Sequence, residues 1–94
     1  MAFFEQSGYG DTAVKAAGKL TAKAESQELV KDNRGRIAVV ITNSGTTDAW
    51  LALGAKAVSE EGIYLKKEGG AIVIDFYTGP ISVVGEGNIG YAEV

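Results

Sequence analysis

The pattern in this chain that most invites a chemical reading is Gly85-Glu86-Gly87-Asn88-Ile89-Gly90, a literal G-x-G-x-x-G behind an apolar run. In a dinucleotide fold such glycines open a helix whose N-terminus faces the pyrophosphate, with an acidic residue about 20 positions later. The sequence gives only residues 91–94 after Gly90, too few for that helix, and Glu86 would repel a phosphate, so the expected element is a hairpin turn. Glu60 and Glu61 are sequence neighbours; on a strand they would point to opposite faces instead of converging as an acid and a base. A solvated loop is expected for them. Asp75, between Ile74 and Phe76, needs a partner or a path to water, and an outward or hydrogen-bonded carboxylate beside a turn is expected over a catalytic one. The chain has no His and no Cys, which removes imidazole and thiolate chemistry and the soft ligands of a zinc site. None of Ser7, Ser44, Ser59 and Ser82 sits with a lysine in a nucleophile motif, and the 43–48 loop holds one carboxylate, Asp48, where calcium needs several. The expectation is a protein that is not an enzyme, with no catalytic residues, no cofactor and no metal.

Composition narrows the partners. Ninety-four residues form one domain, and a chain of this size buries roughly 60–65% of the surface its unfolded form exposes. Nine basic residues stand against twelve acidic ones, a formal net charge of -3, and the basic ones are scattered. Counterion release from nucleic acid needs a concentrated positive face, so no nucleic-acid partner is expected. No apolar run approaches the ~18–20 residues that span a bilayer. The opening Met1-Ala2-Phe3-Phe4-Glu5-Gln6 lacks the basic and apolar regions of a signal peptide, so neither a membrane partner nor export by that route is expected.

The elements that would position any site read as strands. Thirteen glycines against one proline fall mostly between apolar runs, where tight strand connections demand positive φ. Residues 36–42 have the composition of a strand buried on both faces, and 43–48 that of a loop. Residues 49–54 read as the next strand, paired with 37–42 as a hairpin. Trp50 within it faces either the core or a partner, the core being the default for a lone Trp in a small domain. Residues 63–65, 71–76 (apolar on nearly both faces), 81–84 and 90–94 complete the run, with turns at 32–35, 66–70 and 77–80. Upstream, Asp11 could cap a helix over 11–23 with a thin stripe of Val14, Ala17 and Leu20, in which Gly18 costs about 1 kcal/mol against Ala. The competing reading is a strand at 19–24 followed by another at 27–30. Seven or eight short strands with regular turns predict an all-β fold, an antiparallel β-sandwich or small barrel, with an N-terminal arm at 1–18 and the sandwich domain at 19–94. The arm carries Phe3, Phe4 and Tyr9. These aromatics either fold back onto the domain's own core or order on a neighbouring subunit as interface anchors.

Taken as one string, Asn33-Arg34-Gly35, Val39-Val40-Ile41-Thr42-Asn43-Ser44, Trp50-Leu51-Ala52-Leu53-Gly54-Ala55, the Gly69-Gly70 turn and Tyr77-Thr78-Gly79-Pro80-Ile81-Ser82 resemble a family of small β-domains encoded by tailed bacteriophages. The resemblance covers roughly residues 20–94 and implies a virion structural protein. In plan, one domain with a short N-terminal arm is similar to capsid decoration (cement) proteins, which bind the outer surface of the mature shell in many copies, often as trimers, and stabilise it. What this implies here is a homo-oligomer, a trimer favoured, on the outer capsid surface after assembly in the host cytoplasm. The major capsid protein would be the partner, and Phe3, Phe4 and Tyr9 the partner-binding residues. The alternative is a fibre or adhesin module that binds a host-surface glycan through an exposed Trp50, Tyr64 or Tyr77 beside polar side chains.

Overall fold

The computed structural model describes residues 16–94, and its apolar runs become eight strands: β1 (Ala16–Ala22), β2 (Gln27–Val30), β3 (Val39–Asn43), β4 (Ala49–Leu53), β5 (Ile63–Leu65), β6 (Gly70–Ile74), β7 (Ile81–Gly85) and β8 (Gly87–Glu93). They form two four-stranded sheets, in the orders β1-β8-β3-β6 and β2-β7-β4-β5, and every strand pairing is antiparallel. The sheets pack face to face as a small β-sandwich. Alternation supplies the core: Val39 and Ile41 of β3, Ala49 and Leu51 of β4, and Ile81 and Val83 of β7 point inward and are buried. They pack with Val30, Leu65, Ile74 and Ile89 in one cluster. Each fully buried aliphatic side chain stabilises the fold by roughly 1.5–3 kcal/mol, and β-branched residues suit the pleated surfaces that present them.

The upstream ambiguity resolves to strand. Residues 16–22 are β1, paired with β8 from Ala16 opposite Glu93 to Ala22 opposite Gly87; residues 11–15 lie outside the described region. Gly18, a liability in a helix, has a use here. A Cβ at that position would lie 2.8 Å from the ring of Tyr91, its cross-strand partner, so the missing side chain makes room for the aromatic.

Several other expectations are corrected. β3 and β4 are not a hairpin: β3 pairs with β6 and β8, and β4 pairs with β5 and β7, so the 43–48 loop carries the chain from one sheet to the other. Asn43 holds that crossing. Its buried amide donates to the carbonyls of Thr47 (2.9 Å) and Leu65 (3.1 Å) and accepts from the N–H of Gly45 (2.9 Å). The G-x-G-x-x-G run is likewise not a hairpin turn, because β7 and β8 belong to different sheets and only Glu86 separates them. Gly85 and Gly87 have φ of 145° and 119°. A Cβ on either would lie within 3 Å of backbone, Asp48 O for Gly85 and Gly45 Cα for Gly87, so the two crossings pack against each other backbone to backbone. The apolar runs at 36–42 and 71–76 are not buried on both faces. β3 starts only at Val39 and turns Val40 outward, while β6 is an edge strand that ends at Ile74, with Val73 59% and Phe76 74% exposed. Trp50 is outside the core as well: Ala49 and Leu51 take the inward positions of β4 and leave Trp50 half-buried on the outer surface.

Arg36, read as the start of a strand, instead locks one end of the sandwich. Its Nη1 donates to the Glu93 carboxylate at 2.8 Å and to Lys31 O at 3.2 Å, and its Nη2 donates to Tyr77 O (3.0 Å) and Gly79 O (2.8 Å). The side chain has no exposed surface. One guanidinium thereby ties the approach to β3, the turn before β7 and the last strand, using the fixed fork geometry that lysine lacks.

Candidate interaction surfaces

Two surfaces outside the core combine apolar exposure with a rigid backbone. The first is the end of the sandwich at Ala16. Ala16 is opposite Glu93, and the Ile37 N–H bonds to Val94 O at 2.8 Å, so Ala16, Ile37 and the close of β8 share one end. β6 finishes there too, since Ile74 pairs with Val39, and Phe76 follows it. Ile37 is 53% exposed and Phe76 is the most exposed large apolar side chain among the described residues. Both are flanked by the Arg36 lock. Ile37 is the next residue in the chain, and Phe76 precedes Tyr77, whose carbonyl accepts from Arg36. Two apolar side chains in water are thus carried on backbone that cannot easily withdraw them.

The second surface lies on the outside of the β2-β7-β4-β5 sheet. Trp50 and Tyr64 are cross-strand partners, with ring centroids 5.7 Å apart at 47°. Asp48 sits beside them and its Oδ1 accepts from the N–H of Lys67 at 3.0 Å. That backbone hydrogen bond, assisted by the Tyr64 hydroxyl and by the charges of Lys67 and Lys66, holds the Asp48 carboxyl below its ordinary value despite partial desolvation. Desolvation, followed by the hydrogen bond to and the charge of Asp48, raises the Tyr64 phenol. A cleft of about 220 Å³ opens next to the pair, lined in part by Thr47, Asp48, Trp50, Ser59, Val84 and Glu86. It is smaller than the roughly 300–1,000 Å³ of sites for drug-sized ligands, so it suits a single ring. The 55–62 segment is anchored at one point: Ala57 is buried and its N–H bonds to Ser26 Oγ at 2.9 Å.

Of the residues singled out in the sequence, Phe3, Phe4 and Tyr9 lie outside the described region. Tyr77 is unavailable as a surface aromatic, since it is half-buried against the core and a Cβ on Gly54 would lie 2.7 Å from its hydroxyl. Asp75, Glu60 and Glu61 are all exposed. The signals that sequence reading passed over are a lone Arg beside a turn and a lone Glu in the last apolar run, which are Arg36 and Glu93.

No protein-family model, curated protein or solved structure matches the chain. The class it can be given is that of its fold, a small antiparallel β-sandwich.

Proposed function

We propose that this protein is a bacteriophage capsid decoration protein, a homo-oligomer that binds the major capsid protein on the outer surface of the shell and stabilises it. The observation that carries the reading is the coincidence, at one end of the sandwich, of exposed Ile37 and Phe76 with the point where residues 1–15 join β1. Exposed aromatics held on rigid backbone have the character of interface anchors. The segment that precedes Ala16 in sequence contains Phe3, Phe4 and Tyr9. Each contact can be weak, because repeated sites on a shell and linked copies raise the effective concentration.

The test is mass spectrometry of purified particles together with shell binding by variants. Hundreds of copies per particle are expected; a few would indicate a fibre or tail protein, and none would remove the reading. Phe76→Glu, and separately deletion of residues 2–10, should each abolish shell binding while the β-sheet circular dichroism is retained. Undiminished binding by both would overturn the proposed contact.

A second reading, a fibre module for a host-surface glycan, is favoured by one observation: Trp50 and Tyr64 face outward beside Asp48, Ser59 and Glu86, an aromatic platform rimmed by hydrogen-bonding groups. A glycan array tests it, with Trp50→Ala as the variant that should lose every signal.

A further inference from the structure

The cleft beside Trp50 is defined by the hydrogen-bonding groups it leaves available. Tyr64, Trp50 and Val84 form one outward row across β5, β4 and β7. Val84 faces outward yet is only 3% exposed, so it gives the cleft an apolar floor, with the indole as one wall. The donors around that floor are mostly spent. The Gly85 N–H donates to Lys23 O at 2.9 Å and the Glu86 N–H to Thr47 Oγ1 at 3.2 Å. The Thr47 hydroxyl donates in return to Glu86 O. These bonds tie the 43–48 crossing to the β7–β8 crossing, which holds Asp48 and Glu86 on adjacent, rigid backbone. Asp48 is further oriented by the Lys67 N–H and the Tyr64 hydroxyl, which use two of the roughly four lone-pair positions of a carboxylate. What the lining offers a ligand is therefore two carboxylates, the Ser59 hydroxyl and the indole N–H.

We propose that this cleft is a subsite for one neutral pyranose ring, with the C–H face of the sugar against Trp50 and its hydroxyls donating to Asp48 and Glu86. The proposal rests on the second reading above and narrows it to an uncharged hexose. Size, chemistry and charge each select that ligand. A cleft of about 220 Å³ takes a single ring and falls short of the room that larger ligands need. A lining dominated by acceptors requires a ligand that brings donors. A pyranose carries several hydroxyls on its rim, while its C–H groups suit the negative face of an aromatic ring. An acidic sugar or a phosphate would meet two carboxylates with no cation in the lining. An organic cation gains little from Asp48, because the charges of Lys66 and Lys67 already act on that carboxylate.

Trp50 is the sole tryptophan of the chain, so its fluorescence reports on the cleft directly. Titration of the full chain with the methyl glycosides of glucose, galactose and mannose should give a saturable change for at least one of them. The dissociation constant should be millimolar, the order for one small ring in an open cleft. Asp48→Asn keeps an oxygen for the Lys67 N–H but exchanges a charged acceptor for an amide, and should weaken binding about tenfold. Glu86→Gln, at an exposed residue, should act in the same direction, and circular dichroism verifies that both variants fold. Glucuronate, N-acetylneuraminate and arginine methyl ester, the acidic and cationic probes, should leave the fluorescence unchanged. Silence of all three neutral glycosides up to ~100 mM overturns the proposal. So does a charged probe that binds as tightly as the neutral glycosides, or undiminished binding by both variants. The cleft is measured on the isolated protein with simple glycosides, whereas the fibre reading is decided on host-surface glycans and particles, so either can fail alone.

Discussion

Replacing Arg36 with Ala should be among the most damaging single changes in the domain. The guanidinium has no exposed surface and the Glu93 carboxylate almost none, so truncation leaves a buried carboxylate without its counter-charge. Breaking a buried pair from one side costs ~3–5 kcal/mol. The carbonyls of Lys31, Tyr77 and Gly79 lose a donor in the same step, which favours the upper half of that range, about 4 kcal/mol. A domain of this length has a total stability of roughly 5–14 kcal/mol, so the variant gives up more than a quarter of it. At ~4–8 °C per kcal/mol for domains of 60–100 residues, the melting temperature should fall by about 16–32 °C. Thermal and urea unfolding followed by circular dichroism, run as a cycle with Arg36→Met, Glu93→Leu and the double variant, separates pair from packing. Apolar replacement of both partners should recover most of the loss, because neither group then needs solvation. Arg36→Lys should be intermediate, keeping the charge without the fork that reaches Tyr77 and Gly79. A loss below ~1 kcal/mol for Arg36→Ala, or a double variant no better than that single one, would refute the reasoning, since either means the buried carboxylate finds water in the native state.

Asn43→Leu should cost ~3 kcal/mol in urea unfolding, because it strips partners from Gly45 N–H and from the carbonyls of Thr47 and Leu65 where the chain changes sheets. Asp48 and Tyr64 set opposite pH limits. The folded carboxyl titrates below the ordinary carboxyl value of 3.8, so its contribution is present above that pH and is lost as pH falls through the folded value. The folded phenol titrates above the ordinary phenol value of 10.0, so its contribution is complete below that pH and is lost as pH rises through the folded value. Asp48→Asn should lower the Tyr64 titration toward the ordinary phenol value, read by tyrosinate absorbance against a Tyr64→Phe blank; an unchanged titration would show that burial alone raises it.

How far the sequence disclosed this architecture depends on what each residue signals locally. Short apolar runs marked the strands from Gln27 onward, and the turn residues between them marked their ends, because both reflect local composition and short-range sterics. Which strand pairs with which is a long-range property: the 43–48 loop has the composition of a hairpin connection, yet it crosses between sheets. Only the buried Asn43 amide distinguishes the two, and burial is not written in composition. The same holds for Val40 and Val73. An apolar run looks alike whether its second face meets a core or a surface, so the outward turn of Val40 and Val73 is hidden inside runs that read as doubly buried. Trp50 illustrates the converse, since a large aromatic defaults to the interior until the inward positions are seen to be taken by its neighbours Ala49 and Leu51. Arg36 and Glu93, far apart in sequence, carry no joint signal until the fold brings them together.

The position of β8 has a consequence for how the molecule is made. It lies between β1 and β3 and pairs with both along its length, although it is the last strand in chain order. During synthesis the β1-β8-β3-β6 sheet stays split, with two unpaired inner edges, until residues 87–93 leave the ribosome. Closure then spans nearly the whole described chain, a contact order that slows folding and prolongs the exposure of open strand edges. A chain stalled or clipped before Gly87 would keep β3 and β6 as an isolated pair beside an orphaned β1. Insertion of one seven-residue strand is therefore the step that closes the sheet, and aggregation should track how long that step takes.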